Sequence, residues 1–341
     1  MTQAWTDFLS SRGATFDGGV PANFGDGTAE LAAATGEVMA DLSHLGLIAF
    51  SGEDTGNFLQ GQVTSDVRQL RPVRAQYSGC CTPKGRMLAN FLLFRTGDDV
   101  LMQLPADLQT FIQKRFSMFI LRSKVKPRDA RDEVVRLGVA GPDAAARVRS
   151  IGATLPEADL GISEAGGMYV IRFSPTRFQI VAPVERGPEL WDRLSANTRP
   201  VGYPVWQWLE IRAGVPTIVP ATQEQFVPQM VNYELVGGVS FQKGCYPGQE
   251  IVARTQYLGK VKRRMYLAHV EGADAGAGDE LFTPDMEGQV TGMVVNASPA
   301  PTGGYDLLAV IQQSSAEAHP VHLKSTAGAV LKLEPLPYTV T

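Results

Sequence analysis

Cys245 sits in the tightly punctuated stretch K-G-C-Y-P-G-Q-E, residues 243–250, in a chain with only two other cysteines, Cys80 and Cys81. Tyr246-Pro247-Gly248-Gln249 suits a type II turn, with Pro and Gly at its two central positions. Gln249-Glu250-Ile251-Val252-Ala253-Arg254 then reads as a helix start, which would bring N-terminal amides close to the thiol. Partial positive charge from those amides, with Lys243 and Arg254, would favour the nucleophilic thiolate. Gly244 lets a ligand or partner approach the backbone. The competing reading is a small side chain that fills a buried gap, which is common for cysteine. A Cys–His nucleophile would need His44 or His269 to come close in space.

The remaining chemistry-bearing residues point away from several function classes. Cys80 and Cys81 are neighbours in an extended segment and point in opposite directions, so one is expected packed and the other partly exposed. Three cysteines cannot complete a four-cysteine iron–sulfur site within one chain. His44, His269, His319 and His322 show no zinc-ligand spacing with cysteines or acids, and no metal site is expected. No glycine-rich dinucleotide or P-loop motif is present.

The elements that must position these residues alternate in type. Leu47–Phe50 reads as a strand and Glu53–Gly61 as a short helix burying Phe58 and Leu59. Met87–Arg95 and Val100–Leu104 read as a hairpin. Leu108, Phe111, Ile112, Arg115, Phe116 and Phe119 fall on one helical stripe broken only by Arg115, with Asp107 placed to cap it. A strand over Leu121–Pro127 follows, putting Arg122, Lys124 and Lys126 on one face. The order recurs with a strand at Val134–Ala140, a helix opened by Gly141-Pro142-Asp143, a hairpin over Tyr169–Phe173 and Phe178–Ala182, and a helix opened by Gly187-Pro188-Glu189. Hairpins alternating with helices predict an α+β protein with antiparallel sheets. After Lys260 only short strands are expected, over 265–270, 289–296, 307–312, 318–323 and 330–333, as in a small β-barrel or sandwich.

With 341 residues, the chain is expected to hold two or three domains. A net charge of −4 gives no global pull toward nucleic acid or anionic membrane, and neither partner is expected. No run approaches the roughly 20 apolar residues of a membrane span. The N-terminus lacks a secretory pattern, and the sparse thiols suit a reducing cytoplasm.

Several segments together carry a family resemblance. K-G-C-Y-P-G-Q-E-I-V-A-R (243–254) resembles the signature of the YgfZ family of folate-binding proteins. So do residues 41–66, C-T-P-K-G-R-M (81–87), G-P-D-A (141–144), I-R-A-G-V-P-T-I (211–218) and F-V-P-Q-M-V-N-Y-E-L-V-G-G-V-S-F (226–241), in family order. These proteins are relatives of the glycine-cleavage aminomethyltransferase and support iron–sulfur cluster assembly and repair. The resemblance implies two antiparallel-sheet α+β units around a central channel for tetrahydrofolate, over residues 1–258, and a C-terminal β-barrel over 259–341. It implies Cys245 as the functional thiol, supported by Lys243, Gly244, Tyr246, Gly248, Gln249, Glu250 and Arg254. A family folate-contact tryptophan matches Trp206, which core packing could also explain. A second family tryptophan corresponds to Leu45, which could still line the pocket.

The resemblance also implies what is lost. The transferase's essential aspartate has no counterpart in Leu101-Met102-Gln103-Leu104-Pro105-Ala106. Its folate-binding acidic segment is matched by Ser174-Pro175-Thr176-Arg177-Phe178-Gln179. The expected function is a monomeric, tetrahydrofolate-binding accessory protein for iron–sulfur client enzymes or assembly proteins. The alternative is a folate-dependent aminomethyltransferase or demethylase. A blander reading is an adaptor in which Arg122, Lys124, Lys126 and the Lys260–Arg264 cluster dock a partner or hold the glutamate tail of folate.

Overall fold

The computed structural model describes residues 1–257, 259 and 261–340, in two compact units. The first takes residues 1–55, 69–76 and 92–206, and the second residues 56–68, 77–91 and 207–341. No helix among the described residues is long and apolar enough to cross a membrane.

A six-stranded sheet organises the first unit, in the order Ile162–Ala165, Met168–Ser174, Arg177–Pro183, Val134–Ala140, Val38–Asp41 and Arg199–Val201. Every pairing is antiparallel except the last, where Arg199–Val201 runs parallel to Val38–Asp41. Strand alternation splits its residues between two environments. Val135, Leu137, Val139, Phe178 and Ile180 enter a core with Trp5, Leu9, Val148, Leu190, Trp191 and Leu194 from the helices Gln3–Ser11, Ala144–Ser150 and Gly187–Ser195. The other face carries Arg136, Gly138, Arg177 and Gln179, with Gly138 in register with both Gln179 and Ala40. Polar groups on that second face surround Trp206, which packs over Gly138.

The rest of the first unit contains the expected hairpin. Leu92–Thr96 pairs with Asp99–Gln103, and Val100–Pro105 pairs with Leu45–Phe50. The following helix, Ala106–Met118, starts before Asp107, so Pro105 occupies the cap position and Asp107 lies in the first turn. Its charge there still complements the helix dipole. Leu108, Ile112 and Phe116 are buried, but Phe111 and Phe119 face solvent, because the stripe is wider than the covered face. The strand expected over Leu121–Pro127 is not formed. Leu121 adopts a left-handed φ of 45°, the chain turns, and the strand runs only over Lys126–Asp129. Arg122 and Lys124 therefore share no strand face with Lys126.

The second unit is built on another six-stranded antiparallel sheet, curled into a half-barrel. Its order is His322–Leu323, Glu280–Phe282, Val290–Pro299, Tyr305–Gln312, Arg263–Val270 and Lys332–Glu334. Met265, Leu267, Leu308 and Val310 pack on one side with Ile211, Phe226 and Tyr233. Ala268, Val270, Leu307, Ala309 and Ile311 fill the other side with Leu281 and Val321. A short helix, Gln313–Ala318, replaces the start of the strand expected at 318, and His319 caps its end. Lys260 lies outside the described residues. Arg264, from the same basic run, is buried and paired with Glu234. Cys80 and Cys81 are both buried, at 3% and 1% exposure. Covering the Gln76–Cys81 strand on both sides at this end leaves neither thiol in solvent.

Candidate functional site

The Cys245 loop is held from beneath by three structural devices. Gln249 donates its backbone N–H to the Tyr246 carbonyl at 3.1 Å, and Gly248 has φ 82°, as the type II turn requires. A Cβ at Gly248 would lie 2.4 Å from the Thr82 carbonyl oxygen, so only glycine seats this turn against the Thr82–Gly85 turn. The helix Gln249–Tyr257 then begins where the sequence places it.

Lys243 supplies the third device. Its ammonium donates to the carbonyls of Gln60, Val63 and Ser65 at 2.7, 2.5 and 2.9 Å. A lysine has three N–H donors, so all are matched. It also lies 5.1 Å from the centroid of the Tyr246 ring, which is itself buried. The Gln249 side chain donates back to the Lys243 carbonyl at 3.2 Å. Burial lowers the Lys243 pKa to about 8, and burial pushes the Tyr246 phenol up.

Cys245 is exposed at the crest of this scaffold. Gly244 beside it would present a Cβ to open space, which leaves room for an approaching partner. Glu250 and Arg254 are exposed on the helix that follows. His269, in the same unit, is committed to Asp306, with Nδ1 2.7 Å from Oδ1, while Trp208 Nε1 donates to the other carboxylate oxygen at 2.8 Å. Among the described residues, no group of three or more His, Cys, Asp or Glu side chains forms a metal site.

In the first unit, Trp206 lies over Gly138. A Cβ on that glycine would sit 2.4 Å from the indole, so the missing side chain makes room for the ring. The Arg177 guanidinium stands 5.8 Å from the Trp206 ring centroid and 5.2 Å from that of Phe173. Trp206 itself is 1% exposed. Gln103 and Gln179 exchange two amide hydrogen bonds of 2.9 Å and are both buried.

Leu45 is buried at the start of its strand, and its carbonyl accepts from Arg136 Nη2 at 2.7 Å. Arg136 Nη1 reaches the Gly46 carbonyl at 3.1 Å. The neighbouring His44 ring lies 6.0 Å from Tyr203, and burial, with the Arg136 charge, lowers its pKa to about 3. His44 is therefore neutral near pH 7. Burial raises Asp41 above the ordinary carboxylate range, against the hydrogen bonds from Ser43 and Trp5. The sequence points to Trp206 and Leu45 but not directly to Arg136 and Gly138. A charged residue and a glycine inside the apolar run V-V-R-L-G-V-A were the available signals.

The fold is that of the glycine-cleavage aminomethyltransferases. The structure of aminomethyltransferase T from Bartonella henselae superposes with a TM-score of 0.81, covering 97% of this chain and 96% of that one at 19% identity. A family model described as the GCVT N-terminal domain matches residues 26–217. At the level of sequence, "tRNA-modifying protein YgfZ" of Yersinia enterocolitica is 33% identical over 310 residues, covering 89% of this chain and 93% of the relative. The protein of the same name from Enterobacter sp. strain 638 is 34% identical over 309 residues, with the same coverage. The chain belongs to the YgfZ family.

Proposed function

We propose that this protein binds tetrahydrofolate on the polar sheet face of its first unit and carries Cys245 as a functional thiol in its second. It acts as an accessory protein for the assembly or repair of iron–sulfur clusters in client enzymes. Its relatives are named tRNA-modifying proteins, which supports tRNA modification as the process it serves. An indole, a guanidinium and an amide pair form a donor and acceptor set suited to a planar ring with a polar edge. Trp206, Arg177, Gln103 and Gln179 would hold the pterin, and Leu45 would contribute apolar wall. Bound tetrahydrofolate supplies a carrier for one-carbon units.

The Gln103–Gln179 pair is the observation that carries this reading over a transferase. Both stretches matched to the transferase's carboxylate-bearing segments carry no acid, and each contributes instead a neutral amide, Gln103 and Gln179, bonded to the other. No acid from those two stretches is available to move a proton at a folate nitrogen, so binding is favoured over turnover. The scaffold beneath Cys245 supports a thiol held out for a partner rather than packed away. The test is Cys245→Ala expressed in cells lacking the native protein, with iron–sulfur enzyme activities as the readout. Loss of those activities is expected, and restoration as full as wild type would remove the thiol from the account.

A further inference from the structure

We propose that the outer side of the helix Ala106–Met118, with the turn after it, docks an acidic amphipathic helix of a protein partner. Four large apolar side chains are exposed within eleven residues: Phe111 (46%), Met118 (59%), Phe119 (43%) and Leu121 (90%). Phe111, Lys114 and Met118 follow one another along one side of the helix at spacings of three and four, about two turns of length. Single exposed apolar residues are ordinary, but a contiguous group marks an interaction surface. Leu121 is held outward in the left-handed region at φ 45°, a conformation that disfavours a branched side chain.

Charge identifies the occupant. Residues 108–128 carry six Lys or Arg and no Asp or Glu, in a chain whose net charge is −4. Lys124 pairs with Glu53, and Arg128 with Asp99 and Glu133. Lys114, Arg115 and Arg122 enter no ion pair among the described residues, and the Arg115 guanidinium lies 5.5 Å from the Phe119 ring centroid. A second copy of this chain fits poorly, because a self-complementary contact would set these cations against themselves. RNA would satisfy the cations and stack on the phenylalanines, yet leave Met118 and Leu121 in water. An amphipathic helix covers all four apolar side chains, and carboxylates along its flank reach the three cations.

The probe is a fluorescein-labelled peptide with leucines at i, i+3, i+4 and i+7 and glutamates on its other face, followed by anisotropy. The intact protein is expected to bind it about tenfold more tightly than a scrambled peptide, with affinity falling as salt rises. Met118→Glu and Leu121→Glu, both at exposed positions, are expected to weaken binding about tenfold while leaving circular dichroism and Tm unchanged. Equal binding of both peptides, or unchanged affinity in both variants, overturns the proposal. So does the case in which only a tRNA transcript or phosphatidylserine vesicles bind and lose affinity in the same variants.

Discussion

Gln103 and Gln179, 76 residues apart in sequence, satisfy each other through two reciprocal amide hydrogen bonds of 2.9 Å in a buried setting. Each amide offers one donor and one acceptor to the other, a match that a carboxylate breaks. Gln179→Glu would place an anionic oxygen against the Gln103 carbonyl. A destabilisation of about 1–3 kcal/mol is expected from the lost donor and the buried charge. Burial would raise the new carboxyl's folded pKa above its unfolded value. The deficit should therefore be smallest below about pH 4, where a protonated carboxyl can donate, and grow as pH rises. Urea unfolding at several pH values measures this, and a pH-independent deficit would contradict it.

Trp206 depends on the absence of a side chain at position 138. Gly138→Ala should force the indole away, at about 1–3 kcal/mol for overpacking. The tryptophan emission maximum should shift, and affinity for tetrahydrofolate should fall with it. An unchanged spectrum with unchanged affinity would show that the ring has no such dependence.

Lys243 ties the Cys245 loop to the segment 60–65, so Lys243→Met should leave three carbonyls without their donor. The expected cost is about 2–4 kcal/mol, read by thermal or urea unfolding. The pH dependence has a definite sign. Burial holds the folded pKa near 8, below its unfolded value of about 10.4. The associated stability is therefore fully present above the unfolded value and lost as pH falls through about 8. Stability of the wild type relative to Lys243→Met should rise between these two values, and a flat difference would argue against a buried ammonium.

Local pattern made much of this architecture legible. The run V-V-R-L-G-V-A gave its strand, Gly187-Pro188-Glu189 gave its helix, and Pro247-Gly248 gave the turn and helix start beside Cys245. Periodicity overreached where it had to judge coverage. It counted Phe111 and Phe119 into the buried stripe and extended a strand through Leu121, whose left-handed backbone ends any extended run. Long-range pairing left no local trace. Lys243 reads as a neighbour of Cys245, yet its ammonium serves carbonyls 178 to 183 residues upstream. The amide pair likewise joins two segments that sequence could mark only as lacking acids.

The most direct test is calorimetric titration of tetrahydrofolate into the wild-type protein, Trp206→Phe and Gln179→Glu, each first shown to be folded. Saturable one-site binding to the wild type is predicted, weakened about tenfold or more in both variants, without turnover of an aminomethyl donor. No measurable binding to the wild type, or equal affinity in all three proteins, would contradict a folate site on the Trp206 face.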